Sequence, residues 1–289
     1  LKRIITILLW IGITTCAFAI SMALQSMLEK AKEGDAQAQV FVGDAYYYGS
    51  GTEKDINEAI RWWTMAAEQG RTDIQFLLGN IYFKGNGVNQ NTSIALEWFI
   101  RASDNGHPEA PYYIGDFYYN GKGVERDYNE AAKWFLLSAQ RGNVWAQNAI
   151  GDCYFQGRGV KKDKAEAERW YSMAALEGQA WAQFRLGNRY MEGNGVVKDP
   201  GKAIHWYRQA ADQGYVQAMD RMGNCLIKGD TGTADIQNGL LYLLAAKMAD
   251  SKENPNRNAL IEQASSLLSE AQIDQIKNQA VDYISSMQN

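Results

Sequence analysis

Apolar residues return along this chain at spacings of three and four, in short bursts separated by glycine. Between Ala36 and Gly70, residues Ala38, Val42, Ala45 and Tyr46 fall at i, i+4, i+7 and i+8. That is one face of a helix ending near Tyr48. Gly49-Ser50-Gly51 interrupts the pattern. Asp55 then stands where an N-cap is expected, and Ala59, Trp62, Trp63, Ala66 and Ala67 make the apolar face of a second helix. Gly70 is placed just past its end, where left-handed backbone costs glycine least.

The same two-helix pattern returns every 36 residues. Gly34, Gly70, Gly106, Gly142, Gly178 and Gly214 mark one register, and Gly43, Gly79, Gly115, Gly151, Gly187 and Gly223 another. Tyr46, Tyr82, Tyr118, Tyr154 and Tyr190 keep step, as do Trp62, Trp98, Trp134, Trp170 and Trp206. Asn91, Asp127, Asp163 and Asp199 are the further N-caps, with Pro200 at a first helical position that tolerates proline. A period of this length predicts an all-α solenoid of stacked helix-turn-helix units. Glycine inside a helix costs about 1 kcal/mol against alanine. Its return in the middle of every first helix therefore predicts two helix backbones passing too closely for a β-carbon.

Residues 1–19 are expected to be a secretory leader: Lys2-Arg3, an apolar run, then Ala17-Phe18-Ala19 with the cut after Ala19. Residues 20–35 read as an N-terminal capping helix. Six repeats follow at 36–70, 71–106, 107–142, 143–178, 179–214 and 215–250, the last having lost its tyrosine and tryptophan. Residues 251–289 read as C-terminal capping helices, over Asn258 to Leu268 and Ala271 to Met287, with Ser269 and Gln272 forming a capping box.

Leu186-Gly187-x-x-Tyr190-x-x-Gly193-x-Gly195-Val196-x-x-Asp199, then Ala203-x-x-Trp206-Tyr207 and Ala210-Ala211-x-x-Gly214, resemble the Sel-1-like repeat family, relatives of the tetratricopeptide repeats. The resemblance implies a right-handed α-solenoid. It also implies a scaffold or adaptor role: an envelope or host-interaction protein, a subunit of a larger complex, or an immunity protein that neutralises a toxin such as a lipase effector. Cysteine-rich secreted members carry a disulfide in each repeat. Cys153 and Cys225 instead lie two repeats apart, about 20 Å in a stack of helices, beyond the roughly 7 Å that a disulfide allows.

In such solenoids first helices line the concave wall, the usual binding surface. One position on that face is always polar: Asp44, Asn80, Asp116, Asp152, Asn188 and Asn224. Two readings stand side by side. The ladder grips an extended peptide or basic side chains, or each member bonds to its own neighbourhood and stiffens the stack. Departures from the pattern are more telling. Where other repeats carry Gln37, Asp73 and Glu109, the fourth and fifth carry Trp145 and Trp181, which predicts a neighbouring indole pair. Tyr112 and Phe184 replace Val40, while Tyr119, Phe155 and Met191 follow Tyr47. With Asp116, Asp152, Asn188 and Glu192, these residues form the expected partner-binding trough over repeats three to five.

Composition narrows the chemistry. The chain is 289 residues long and 46% hydrophobic, with a formal charge of −4 and no basic block, which argues against nucleic acid as a partner. Only His107 and His205 exist, and both stand where other repeats carry solvated polar residues. No His/Cys spacing suits a metal, no serine sits in a nucleophile elbow, and the glycine pairs are helix turns rather than phosphate loops. No cofactor is implied. The expectation is a non-enzymatic periplasmic protein, without a membrane span once the leader is removed, that binds another protein. A host-interaction factor is an alternative within that class, and a cell-wall or β-lactam hydrolase is the rival from another.

Overall fold

The computed structural model describes residues 22–230, 232–250 and 252–287. The expected leader lies outside them. Among the described residues there are fifteen helices and no strand. None of the helices is long and apolar enough to cross a membrane. The chain divides into two compact units between Asn143 and Val144.

The first unit opens with α1 (22–32). Three hairpins follow: α2 (Ala36–Tyr48) with α3 (Ile56–Glu68), α4 (Thr72–Lys84) with α5 (Thr92–Asp104), and α6 (Ala110–Asn120) with α7 (Tyr128–Gln140). Helices pack within each hairpin and also from α3 to α4 and from α5 to α6, as a stack requires. The second unit repeats the construction. Its hairpins are α8 (Val144–Gln156) with α9 (Lys164–Leu176), α10 (Ala180–Glu192) with α11 (Pro200–Ala211), and α12 (Val216–Lys228) with α13 (Ile236–Ala249). Then come α14 (Pro255–Ser265) and α15 (Glu270–Ser286). Each unit is thus an α-solenoid segment.

Local chemistry sets the hairpins. Asp55, Asn91, Asp127, Asp163 and Asp199 all cap their helices, accepting from backbone N–H groups one turn ahead. Asp35, Asp235 and Asn254 do the same for α2, α13 and α14. The cap residue's own N–H closes the turn. Asp55 donates to the Tyr46 carbonyl at 2.9 Å, and the bond recurs from Asn91 to Tyr82, Asp127 to Tyr118, Asp163 to Tyr154 and Asp199 to Tyr190. The sixth repeat keeps it, from Asp235 to Leu226, because a carbonyl does not depend on the tyrosine side chain.

The glycines inside the first helices have a different cause from the one expected. A β-carbon on Gly43 would lie 2.5 Å from the Trp63 ring, and the atoms met at Gly79, Gly115, Gly151 and Gly187 belong first to Phe99, Phe135, Tyr171 and Tyr207. A ring from the second helix fills the space, not a second backbone. Backbone joins in at Gly187, where the Ala203 carbonyl lies 3.2 Å away, and more closely at Gly223, with the Gly239 carbonyl 2.9 Å away beside Leu243. Residues 63, 99, 135, 171, 207 and 243 therefore form a repeating series of their own, following the tryptophans by one.

A second device ties successive hairpins. Buried Gln39, Gln75 and Gln183 donate to the carbonyls of Ala31, Ala67 and Ala175, eight residues back. They accept from Gln69, Asn105 and Gln213, thirty residues on. Gln147 has Glu177 in that forward place, a residue with no amide to donate, and its Oε1 is buried without a partner.

The C-terminal helices lie a little earlier than the periodicity suggested. Asn254 and Pro255, a cap and a first-turn proline, start α14, and Ser269 with Gln272 forms the expected capping box of α15. Arg257, only 4% exposed, pins α14 to α12 through both oxygens of Asp220 at 2.6 and 2.9 Å. Helix α15 packs on α13, and Tyr283 donates to Asp212 at 2.8 Å. Cys153 and Cys225 are free and buried, and burial pushes each thiol up to about 12.

Two outcomes follow. Helix propensity alone would make Gly151→Ala stabilising, but the new β-carbon overlaps the Tyr171 ring. We expect a lower melting temperature, equivalent to about 1–3 kcal/mol of overpacking; an unchanged or raised melt would contradict the ring-on-glycine contact. Gln183→Met, which copies Met219 of α12, should cost about 1 kcal/mol in chemical denaturation by removing the bonds that Gln183 gives to the Ala175 carbonyl and accepts from Gln213.

Candidate functional site

In the second unit the first helices α8 and α10 carry Trp145, Asp152, Phe155, Trp181, Phe184, Asn188, Met191 and Glu192 of the expected trough, and α6 of the first unit carries Tyr112, Asp116 and Tyr119. Trp145 and Trp181, each one residue into its helix or at its second position, stack with centroids 3.8 Å apart and planes 11° from parallel. Trp145 is 52% exposed and Trp181 half-buried. In the first unit the equivalent row is polar and self-satisfied: Arg71 donates to Gln37 at 2.7 Å and pairs with Asp73 at 2.8 Å. Two indoles in this row thus replace a hydrogen-bonded chain with an apolar plate facing solvent.

The other expected residues are more deeply engaged with their own unit. Phe184 is half-buried, with ring centroids 5.9 Å from Tyr207 and 5.2 Å from Tyr215. Phe155 and Met191 pack against the core cluster around Tyr171, Leu186 and Tyr207. Glu192 is exposed and accepts from Asn194 at 2.6 Å. In the first unit Tyr112 lies near Tyr113 and Phe135, and Tyr119 near Tyr128 and Phe135.

The polar ladder follows a rule that the ring series explains. Where the ring has a donor, the ladder residue takes it: Trp63 Nε1 to Asp44 at 3.1 Å, Tyr171 Oη to Asp152 at 2.9 Å, and Tyr207 Oη to Asn188 at 2.8 Å. Where the ring is phenylalanine, the ladder residue turns elsewhere. Asn80 donates to the Phe76 carbonyl at 3.2 Å, and Asp116 accepts from Asn120 at 2.6 Å and Lys122 at 2.7 Å. Beside Leu243, the Oδ1 of Asn224 is buried with no partner.

Asp152 anchors a charged cluster. Arg189 forms an ion pair with it and lays its guanidinium over the Tyr171 ring, 3.4 Å from the centroid, while Arg185 reaches the other carboxylate oxygen at 3.5 Å. Burial, reinforced by the Asp152 charge, raises the Tyr171 phenol above the usual tyrosine range, so it stays a donor. Arg189 escaped the sequence reading although the signal was present. It occupies the place of Ala45, Ile81, Phe117, Cys153 and Cys225, all apolar or small. Phe41 and Tyr48, 41% and 73% exposed on α2, lie outside repeats three to five, where the departures from the repeat pattern cluster.

Two cavities open on first-helix faces. One, of about 390 Å³, lies in the first unit against Asp44 and Trp63. The other, of about 420 Å³, lies in the second unit between Phe184, Asn224 and the Asp220–Arg257 pair. The histidines divide. His205 is exposed, as expected, but His107 is half-buried and stacks on Phe76 at 4.0 Å, and burial lowers its pKa. Among the described residues no group of three His, Cys, Asp or Glu side chains is placed to hold a metal.

The Sel1 repeat model matches residues 36–70, 73–107, 108–143, 146–179, 182–215 and 216–251. A Sel1 repeat protein from Oxalobacter formigenes is 32% identical with a TM-score of 0.65, over 81% of this chain and 93% of that one. A protective antigen of uropathogenic Escherichia coli with an SLR fold is 28% identical with a TM-score of 0.69; the match covers 93% of this chain but only 59% of the antigen. An immunity protein from Pseudomonas aeruginosa is 20% identical with a TM-score of 0.43, over 82% and 83% of the two chains, which carries nothing about partners. No curated protein matches the sequence. Six matched repeats, with 32% identity to a Sel1 repeat protein over 81% of the chain, place the chain in the Sel1 repeat family.

Proposed function

We propose that this chain is a non-enzymatic binding protein of the bacterial envelope that holds a protein partner on the first-helix face of its second unit. The Sel1 repeat is a protein–protein interaction fold. The observation that carries the reading is the stacked pair Trp145–Trp181, left half in water at a position that is polar elsewhere. Large exposed aromatics on a rigid helical frame lose little entropy on binding and dominate interface energetics. Further along the same helices, Asp152, Arg185, Arg189 and Asn188 supply charged and polar groups that are already hydrogen-bonded. Periplasmic residence is part of the proposal and rests on the Lys2-Arg3 to Ala19 leader pattern. Neutralising a secreted toxin is one form such binding would take, and a toxin gene beside this one would support that form.

Affinity capture from periplasm with the wild-type chain, followed by titration of the captured partner, tests the face. Trp145→Ala with Trp181→Ala should weaken binding by at least about thirtyfold, as loss of a hot-spot residue does, while the melting temperature moves little. Equal recovery and equal affinity for wild type and double variant would remove the pair from the interface.

A further inference from the structure

Among the described residues every aspartate of the first helices forms an ion pair except Asp44. Asp116 has Lys122 at 2.7 Å, Asp152 has Arg185 and Arg189, and Asp220 has Arg257 at 2.6 Å. Asp44 accepts from Trp63 and forms no ion pair among the described residues. It is half-buried, and burial, with a smaller push from Asp73 and against the Trp63 hydrogen bond, lifts its carboxyl above the usual range. A half-buried carboxylate without a cation is an uncompensated cost.

The cavity of about 390 Å³ lies against this group, lined by Asp44, Tyr47, Trp63, Leu77, Ile81 and Tyr113 among others. The same chain shows what such a space accepts. Three repeats on, Asp44 becomes Asp152, Trp63 becomes Tyr171, Leu77 becomes Arg185 and Ile81 becomes Arg189. There the guanidinium of Arg189 stacks on the ring and pairs with the carboxylate. In the first unit the carboxylate and the ring are retained, but the two arginines are replaced by shorter apolar side chains.

We infer that the first-unit cavity docks an arginine side chain from a partner protein, paired with Asp44 as Arg189 is paired with Asp152, while the buried Trp63 forms part of the cavity wall. The planar guanidinium can give a carboxylate two parallel hydrogen bonds at once, which an ammonium cannot. The chain's own lysines illustrate the difference. Lys84 lines the cavity, is exposed and forms no ion pair with Asp44, and Lys54 stands over the Tyr47 ring at 5.4 Å. This surface lies in the other unit from the indole pair and is independent of it.

The test uses the full chain and three blocked tripeptides, Gly-Arg-Gly, Gly-citrulline-Gly and Gly-Lys-Gly, read by NMR at the Trp63 indole N–H, assigned with Trp63→Phe. The arginine peptide should bind about tenfold more tightly than the citrulline peptide, the difference one charge-assisted contact makes. Asp44→Asn keeps an acceptor for Trp63, copies Asn80 and Asn188, and should abolish that preference without lowering the melting temperature. Leu77→Arg, which copies Arg185, should block the peptide, whereas Leu77→Gln should not. Equal binding of the arginine and citrulline peptides, tighter binding of the lysine peptide, or a preference that survives Asp44→Asn would each overturn the assignment.

Discussion

In every hairpin a bulky side chain of the second helix occupies the space above a first-helix glycine: Trp63 on Gly43, Phe99 on Gly79, Phe135 on Gly115, Tyr171 on Gly151, Tyr207 on Gly187 and Leu243 on Gly223. Any β-carbon there would overlap the ring or leucyl group at under 3 Å. The glycine thus accepts a propensity cost of about 1 kcal/mol within its helix so that a large apolar group can be buried between the two. That contact sets the separation of the two helices, and the rest of each repeat is arranged around it.

The polar ladder is one consequence. Seating the ring on the glycine brings its far edge to the residue just after, so Asp44, Asp152 and Asn188 find a donor nineteen residues away. Phenylalanine or leucine in the same seat offers none: Asn80 then bonds within its own helix, Asp116 pairs with Lys122 in the following turn, and the Oδ1 of Asn224 is left unpaired. Much of what reads as a binding ladder in one dimension is therefore internal satisfaction of buried polar groups. What is left over for a partner is smaller and more specific: an indole plate in the second unit and an unmatched carboxylate in the first.

Charge follows the same accounting. First helices hold the carboxylates Asp116, Asp152 and Asp220, and Lys122, Arg185, Arg189 and Arg257 answer them from quite different places in the chain. Arg257 does so from the C-terminal helices, so the ion pair that neutralises Asp220 also fastens α14 to the end of the stack. Breaking a buried pair from one side leaves a charge without compensation, which makes such pairs stringent about geometry even where their net stabilisation is modest.

By itself the sequence determined the helical hairpins, their period, five of the caps, the capping box at Ser269 and the aromatic pair at positions 145 and 181. All of these rest on short-range rules: the 3.6-residue turn, the reach of a cap side chain over three residues, and the left-handed backbone of glycine. The wheel could place Trp145 and Trp181 in one row because a fixed period carries a row from one repeat to the next. It could not tell that the glycines answer to rings rather than to backbones, or that Arg189 would fill a core position by stacking on Tyr171. Nor could it show that Asp44 would be left without a cation. Those outcomes join residues nineteen, thirty-three and thirty-seven apart. Their distances are set by how whole helices pack, a property that no single helix carries in its own pattern.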